Sequence, residues 1–346
     1  MNPPLSFQVA VLHWSTIDGI AQVIEDELHT LGHRPFPVFN NAPIPPHTEI
    51  VFTSGPYGQL YAFLSQLEGW LPRNRPVVVH WNTEGIPSPV LPWFLVRMIS
   101  SGRAWLDRLR LQNPGLARLR LLSILDKRML RYRYVGDYAY LYKKGLLHVL
   151  ADSSALYAHI RSQHGLPTVY APWGATPRWY ADLQIGRDID VLWMGKRATR
   201  RRSDLLDLVR HGLRPHGIEI YVADNVENPF IFDQERTQFL NRAKITLNIT
   251  RTWYDDNFSR FALAAPNRSL VVSEPMLAHC PAIEAGTHYL STPPEKLVDT
   301  ILYYLQHETE WQEIVERAYQ LFTQQLTFQH SVSTIMAQVA YYKKEK

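Results

Sequence analysis

Between residues 195 and 202 the chain reads GKRATRRR, a glycine followed by Lys196, Arg197 and the run Arg200–Arg202. The preceding DVLWM, Asp190–Met194, is rich in β-formers, so Gly195 falls where a strand ends. A glycine at that point lets backbone approach a phosphate, and the helix that follows offers N–H groups and the positive end of its dipole. Lys196, Arg201 and Arg202 would neutralise an anion held there; a solvated basic loop has the same composition. Glu274 follows a second β-like run, Leu270–Ser273, where a carboxylate could accept ribose hydroxyls or brace a nearby turn. Asn248 lies inside the apolar run AKITLNIT and reads as a structural hydrogen-bonding residue.

The first half supplies titratable groups. His13 follows the run FQVAVLHW, and His80 closes PVVVHW with Glu84 four residues on. At strand ends, an imidazole or carboxylate can take a proton from a hydroxyl; a histidine there can equally be a satisfied structural residue. The 14 histidines are scattered, the single Cys280 excludes a cysteine zinc site or an internal disulfide, and no metal or other cofactor is expected. Asp255 and Asp256 read as a turn and helix start before Phe258. No phosphate-loop lysine motif is present, which argues against phosphoryl transfer.

The elements that must position these groups alternate. A strand over Phe7–Trp14 leads to a helix from Thr16 to Leu31, stopped by Gly32. Strands over Glu49–Thr53 and Pro76–Trp81 flank a helix over Gly58–Leu67. Val149–Asp152, a helix over Ser154–Gln163 and the run Thr168–Gly174 complete the first series. The alternation restarts at Asp190, with helices at Asp204–Leu213, Gln234–Arg242 and Phe258–Ala265 between strands at Ile218–Val222, Ile245–Ile249 and Ser269–Ser273. Helices over Pro294–Gln306, Glu310–Gln325 and Val332–Tyr342 end it. Such alternation predicts two α/β domains with parallel sheets, joined by a seam at Pro172–Arg187. A small-molecule site is expected in the cleft between the carboxyl ends of the two sheets.

One segment stands apart. Arg103–Lys144 carries eleven Lys or Arg against three Asp, a net +8 where the whole chain has +4, with leucines and aromatics interleaved. It reads either as a basic amphipathic surface suited to anionic lipid or as a helical insertion with a solvated basic face. The overall balance is too mild to point to nucleic acid. The first residues lack the basic lead and long apolar run of a signal peptide, and no apolar stretch is long enough to span a bilayer, so a cytoplasmic protein, peripheral at most on the inner membrane face, is expected.

Four ordered segments, DIDVLWMG with its trailing basic residues, AKITLNIT, SRFALAAPNRSLVVSEP, and AGTHYLSTPPEKLVDTILYYLQHETEWQEIVERAY, together cover about residues 188–335. In that order they resemble group 1 glycosyltransferases, especially the branch containing the CgeB-like proteins. The resemblance implies a GT-B fold: two Rossmann-like α/β domains facing across a cleft, with a helical C-terminus. It assigns residues 1–175 to the acceptor domain with an insertion at about 100–145, residues 188–330 to the nucleotide-sugar domain, and 331–346 to a closing helix. It implies a metal-independent, hexosyltransferase-like enzyme that takes a nucleotide-diphosphate sugar and passes the sugar to a glycan, lipid or protein acceptor. Donor contacts would come from Gly195, Lys196, Arg201, Arg202, Arg260 and Glu274, and a base for the acceptor from His80, Glu84 or His13. Many retaining members of the family carry a pair of Glu here, but the helix Arg260–Ala265 has none, and Glu274 and Glu284 lie beyond it. An inert binding module on the same fold is the alternative, and a sugar-nucleotide epimerase a third reading.

Overall fold

The computed structural model describes residues 6–14, 19–40, 42–113, 115, 129–255, 258–277 and 280–345. It divides into two units, residues 1–171 with 332–346, and residues 172–331.

The first unit is built on a six-stranded parallel sheet, β1 (Gln8–His13), β2 (Arg34–Phe39), β3 (Ile50–Ser54), β4 (Val77–Asn82), β5 (Val149–Asp152) and β6 (Thr168–Tyr170), in the order β2-β1-β3-β4-β5-β6. Strands β3, β4 and β5 are buried along their whole length, as expected of a sheet covered on both faces. The connecting helices are α1 (Ile20–Thr30), α2 (Leu60–Leu64), the hairpin α3 (Trp93–Gln112) and α4 (Leu130–Lys143), and α5 (Ala155–Gln163). The sequence pattern gives no strand over β2, because Pro35 and Pro37 interrupt it. The strand is tolerated at the sheet edge, where a proline's missing N–H costs no ladder bond. The helix start expected at Thr16 lies outside the described residues.

The second unit repeats the plan with five parallel strands. These are β7 (Ile189–Met194), β8 (Ile220–Ala223), β9 (Ala243–Asn248), β10 (Leu270–Ser273) and β11 (Leu290–Ser291), in the order β11-β10-β9-β7-β8. Helices α6 (Arg200–Leu213), α7 (Asp233–Arg242), α8 (Phe258–Ala264), α9 (Leu297–Gln306) and α10 (Glu308–Gln324) connect and follow them, and α11 (Phe328–Glu345) ends the chain. Val191, Trp193, Leu206, Val209, Ile245, Leu247, Val272 and Ile301 are among the residues of its core.

The seam expected at Pro172–Arg187 is instead a packed part of the second unit. Trp173 and Trp179 are buried and stack on each other and edge-on to Phe328. Gly174 lies so close to the backbone of Leu326–Phe328 that a Cβ there would fall 2.4 Å from the carbonyl carbon of Thr327. The chain passes between units at Ala171–Pro172 and returns at Ser331–Val332. The Ser331 hydroxyl donates to the Pro172 carbonyl at 2.6 Å, which sets the two crossings side by side.

Glycines on the α3–α4 hairpin have opposite meanings. A Cβ on Gly136 would sit 2.1 Å from the Ser100 carbonyl oxygen, so the two helix backbones meet there, whereas nothing lies within 4 Å of the Cβ position on Gly102. Gly136→Ala should therefore lower stability by about 1–3 kcal/mol or more through overpacking. Gly102→Ala should raise it by about 0.5–1 kcal/mol through helix propensity. Urea melts of the two variants check the pair; equal effects would show that the helices do not approach as described.

Candidate functional site

In the second sheet the chain leaves β7 to form β8 on one side and crosses back to form β9 on the other. Loops at the carboxyl ends of β7 and β9 therefore diverge, which makes this the natural ligand crevice of an open parallel sheet. Gly195 stands at that corner with φ +113, a backbone conformation that favours glycine, and its N–H donates to the Ala223 carbonyl. Ala198, also at positive φ, tightens the same loop before Thr199 caps α6 by accepting from the Arg202 N–H. The helix begins one turn earlier than the sequence pattern suggests, so Arg200, Arg201 and Arg202 occupy its first turn rather than a loop.

Arg260 is the principal charge at this corner. It is buried, with Nε donating to the Met194 carbonyl at 3.0 Å and one terminal nitrogen to Asn248 Oδ1 at 3.0 Å. The Trp193 ring lies 4.3 Å below its guanidinium, and Trp193 is itself fully buried. No carboxylate among the described residues lies within ion-pair reach of Arg260. Burial, and then the charges of Arg202 and Arg251, hold it well below the usual arginine range. Its second terminal nitrogen faces Gly195, 3.2 Å from where a side chain would begin. The corner is therefore a fixed cation, backed by an aromatic ring and a helix N-terminus, bordering a turn with no side chain.

The other expected donor contacts are divided. Arg202 is buried, donates to the Lys196 carbonyl at 2.9 Å and lies 5.5 Å from the Trp193 ring; burial lowers it to about 10. Lys196 is exposed at the rim. Arg201 and Glu274 are committed to each other through a two-pronged ion pair. The buried Glu274 carboxylate also accepts from the N–H and hydroxyl of Thr250, at 2.6 and 2.8 Å. Its acceptor positions are thus filled from within the protein, and ribose hydroxyls would have to displace those partners. Arg197 turns away to Asp224, Asp207 and Glu227. Asn248 has the structural role expected of it, bridging Arg260 and the Ser273 hydroxyl.

Sequence reasoning missed Trp193, whose meaning appears only when Arg202 and Arg260 stack over it. It also missed Thr250 and the half-exposed Trp253 on the loop after β9. An aromatic directly before the Gly195 turn was the available signal for the first. A cavity of about 400 Å³, lined by Arg187, Lys244 and Trp311 among others, lies at the amino ends of β7 and β9, the opposite edge of the sheet.

In the first unit His80 requires a correction. It does not close β4 but sits inside it, since the strand continues through Trp81 and Asn82. The ring is wholly buried, with Nδ1 2.9 Å from the Thr53 hydroxyl and Nε2 3.0 Å from that of Tyr138. Burial, assisted by Arg161, pushes it down to about 3, so it is neutral near pH 7 with both nitrogens engaged. The network runs on from Tyr138 to Asn82, and from Asn82 to the buried Asp152–Arg161 pair. The amide of Asn82 also donates to the backbone carbonyl of Glu84, whose carboxylate faces Arg131 at 3.4 Å. His13 does end its strand, and its Nε2 meets the buried Glu25 at 2.9 Å. Among the described residues, no group of three His, Cys, Asp or Glu is placed to hold a metal.

In the basic segment, several of the described cations are paired. Arg103 is buried against Asp107, Arg110 and Arg133 converge on the same carboxylate, and Arg108 stacks 3.8 Å over Tyr140. Those cations serve the α3–α4 interface rather than an outer basic face. Lys143 and Lys144 are exposed, while Arg118, Arg120, Lys127 and Arg128 lie outside the described residues.

Residues 197–337 match a family model described as glycosyl transferase-like, which contains α6 through most of α11. Among solved structures the chain is similar to sucrose-phosphate synthase from Thermosynechococcus elongatus, at 9% identity and TM-score 0.58, covering 98% of this chain and 100% of that one. It is similar to WaaG, a glycosyltransferase involved in lipopolysaccharide biosynthesis, at 11% identity and TM-score 0.57, covering 97% and 98%. It is similar also to Anabaena HepE in complex with UDP-glucose, at 11% identity and TM-score 0.53, covering 98% and 100%. The fold, two parallel-sheet α/β domains, is the GT-B fold. No curated protein matches the sequence.

The buried histidine has a measurable signature. Its folded-state value of about 3 lies below the unfolded 6.5, so its stabilising contribution is complete above pH 6.5 and is lost as pH falls toward 3. The slope attributable to His80 is at most about 1.4 kcal/mol per pH unit in that window. His80→Gln should be less stable at pH 7.5 yet lose less stability between pH 6.5 and 5, as read by denaturant melts; parallel curves for the two proteins would show that His80 is not buried neutral.

Proposed function

We propose that the protein transfers a sugar from a nucleotide-diphosphate donor to an acceptor hydroxyl, with the diphosphate held at the Gly195 corner of the second unit. The observation that carries this reading is Arg260, a buried guanidinium with no carboxylate among the described residues, facing a glycine turn at the head of a helix. Burying an uncompensated charge is costly, and a diphosphate supplies the counter-charge that these residues lack. The family match over this region and the UDP-glucose bound by HepE point to a UDP-sugar as the first donor class to test. Among group 1 glycosyltransferases, the ordered segments of the sequence resemble the CgeB-like branch most.

Arg260, Lys196, Arg202 and the backbone at Gly195 and in the first turn of α6 then contact the diphosphate, which gathers negative charge as the glycosidic bond breaks. Glu274 acts as a positioning residue, fixing Arg201 and Thr250 at the edge of the site. Trp253, on the loop after β9, offers an exposed aromatic face for a base or sugar ring. On the acceptor side, His13 replaces His80 as the favoured base. Glu25 holds its Nε2 and leaves Nδ1 to accept a proton from a hydroxyl, while Glu84 is drawn toward Arg131.

Two variants separate the parts. Arg260→Met should abolish the thermal shift given by UDP or UDP-glucose, a stabilisation of about 2.7 kcal/mol at a hundredfold excess over Kd, while leaving apo stability unchanged or higher. An undiminished shift in that variant would sink the diphosphate assignment. Arg201→Ala, by contrast, should destabilise the apo protein, because it strips the buried Glu274 of its cation. His13→Gln should lower kcat about 10²–10⁴-fold with donor binding intact. Wild-type turnover in His13→Gln would favour a mechanism without a side-chain base, and no transfer or donor hydrolysis by the parent protein would favour the inert-module reading.

A further inference from the structure

The α3 helix is amphipathic in the reverse sense. Its inward face carries Ser100, Arg103 and Asp107 along with Val96 and Ala104, all buried, and packs on α4, where Asp137 and Gly136 are buried in turn. Phe94, Met98 and Trp105 fall on one line along the opposite side, 70%, 63% and 57% exposed. The loop leading into the helix adds Val90 and Leu91, also exposed, and Leu111 continues the apolar character near its end. A helix in water places such residues inward and its ions outward. Here the ions are paired in the interior, and the largest apolar side chains stand at positions that no packing contact requires.

The charges bordering this stripe have one sign. Between Val90 and Asn113, and between Met129 and Gly145, the sequence contains two carboxylates, Asp107 and Asp137, and both are buried. Arg97 on α3 and Lys143 and Lys144 at the end of α4 are exposed. Among the described residues of the hairpin, the exposed surface is thus apolar and cationic, with no exposed acid. A second copy of the chain would bring the same positive charges to an isologous contact, which disfavours self-association there. A negatively charged lipid surface complements both features at once: headgroups meet the cations, and the aromatic and thioether side chains enter the boundary of the acyl layer.

We propose that α3 lies on an anionic membrane surface, with Phe94, Met98 and Trp105 as the inserting residues. The apolar stripe therefore provides the membrane contact, whereas most of the described arginines of the segment serve the hairpin's own interior. No helix of the described residues is long and apolar enough to cross a bilayer, so the contact is with one leaflet.

Sedimentation of the full chain with phosphatidylcholine vesicles, with and without phosphatidylglycerol, tests this. The wild type should bind vesicles containing phosphatidylglycerol and release them as salt rises. The Phe94→Glu/Trp105→Glu variant should lose about tenfold or more of that binding while keeping its circular-dichroism melt, since both side chains are exposed. Lys143→Glu/Lys144→Glu should weaken binding by about tenfold as well, through the loss of headgroup attraction alone. Absence of wild-type binding to phosphatidylglycerol vesicles overturns the proposal. So does equal binding to pure phosphatidylcholine, undiminished binding by the Phe94/Trp105 variant, or a concentration-dependent dimer that those two substitutions disperse.

Discussion

A guanidinium taken out of water, with no carboxylate beside it among the described residues, is the constraint around which the second unit is arranged. Arg260 is kept in place by Trp193 beneath it, by the oxygens of Met194, Asn248 and Ile249 that accept from it, and by the strand ends that carry those oxygens. The supports come from two neighbouring strands, Trp193 and Met194 from β7 and Asn248 from β9, and Arg260 itself from α8. The order of the strands is therefore what assembles the site. Neighbouring Arg202 and Arg251 make the field at Gly195 more positive still, although Arg251 shares its charge with Asp255 and Arg201 with Glu274. Unlike Arg201 and Arg251, Arg260 has no carboxylate within ion-pair reach among the described residues, and that is the feature an anion would answer.

The alternation of strands and helices was readable in the sequence because both faces of each sheet are covered, which leaves continuous apolar runs such as VVVHWN and IVFTS. Where the reading failed, a local signal was ambiguous. Two prolines hid β2. A strand end was assigned one residue too early at His80 and Trp81, although a polar residue, Asn82, completes the strand. The GKRATRRR run pointed to the Gly195 corner of the second sheet, yet composition could not say where each of its cations would go. Arg197 goes to three carboxylates, Arg201 to one, and Arg202 inward, and those destinations depend on Asp224, Glu227 and Glu274, far off in sequence. Charge counting between residues 103 and 144 could not separate the arginines that converge on Asp107 between two helices, Arg103, Arg110 and Arg133, from the exposed Lys143 and Lys144.

The first unit uses its polar residues to hold a loop in place. From Thr53 through His80, Tyr138 and Asn82 to Asp152 and Arg161, consecutive partners are buried, and the chain of bonds ends on the backbone carbonyl of Glu84 from two directions. A buried network of that kind is stabilising only when its members are satisfied. It links the centre of the sheet to α4 through Tyr138, so the hairpin and the loop after β4 share a foundation.

The paired crossings at Ala171–Pro172 and Ser331–Val332 bear on how the polypeptide is made. Because the chain returns to its starting unit for the final residues, the ribosome begins the first unit and completes it last. Its six strands must wait, while the whole second unit is synthesised, for Tyr342 to reach His148 and for Lys343 to reach Glu49 and Phe7. During that interval the nascent first unit lacks the contacts of its terminal helix, whereas the second unit, contiguous in the chain, needs nothing beyond Ser331 to close. The order of emergence and the order of completion are thus inverted.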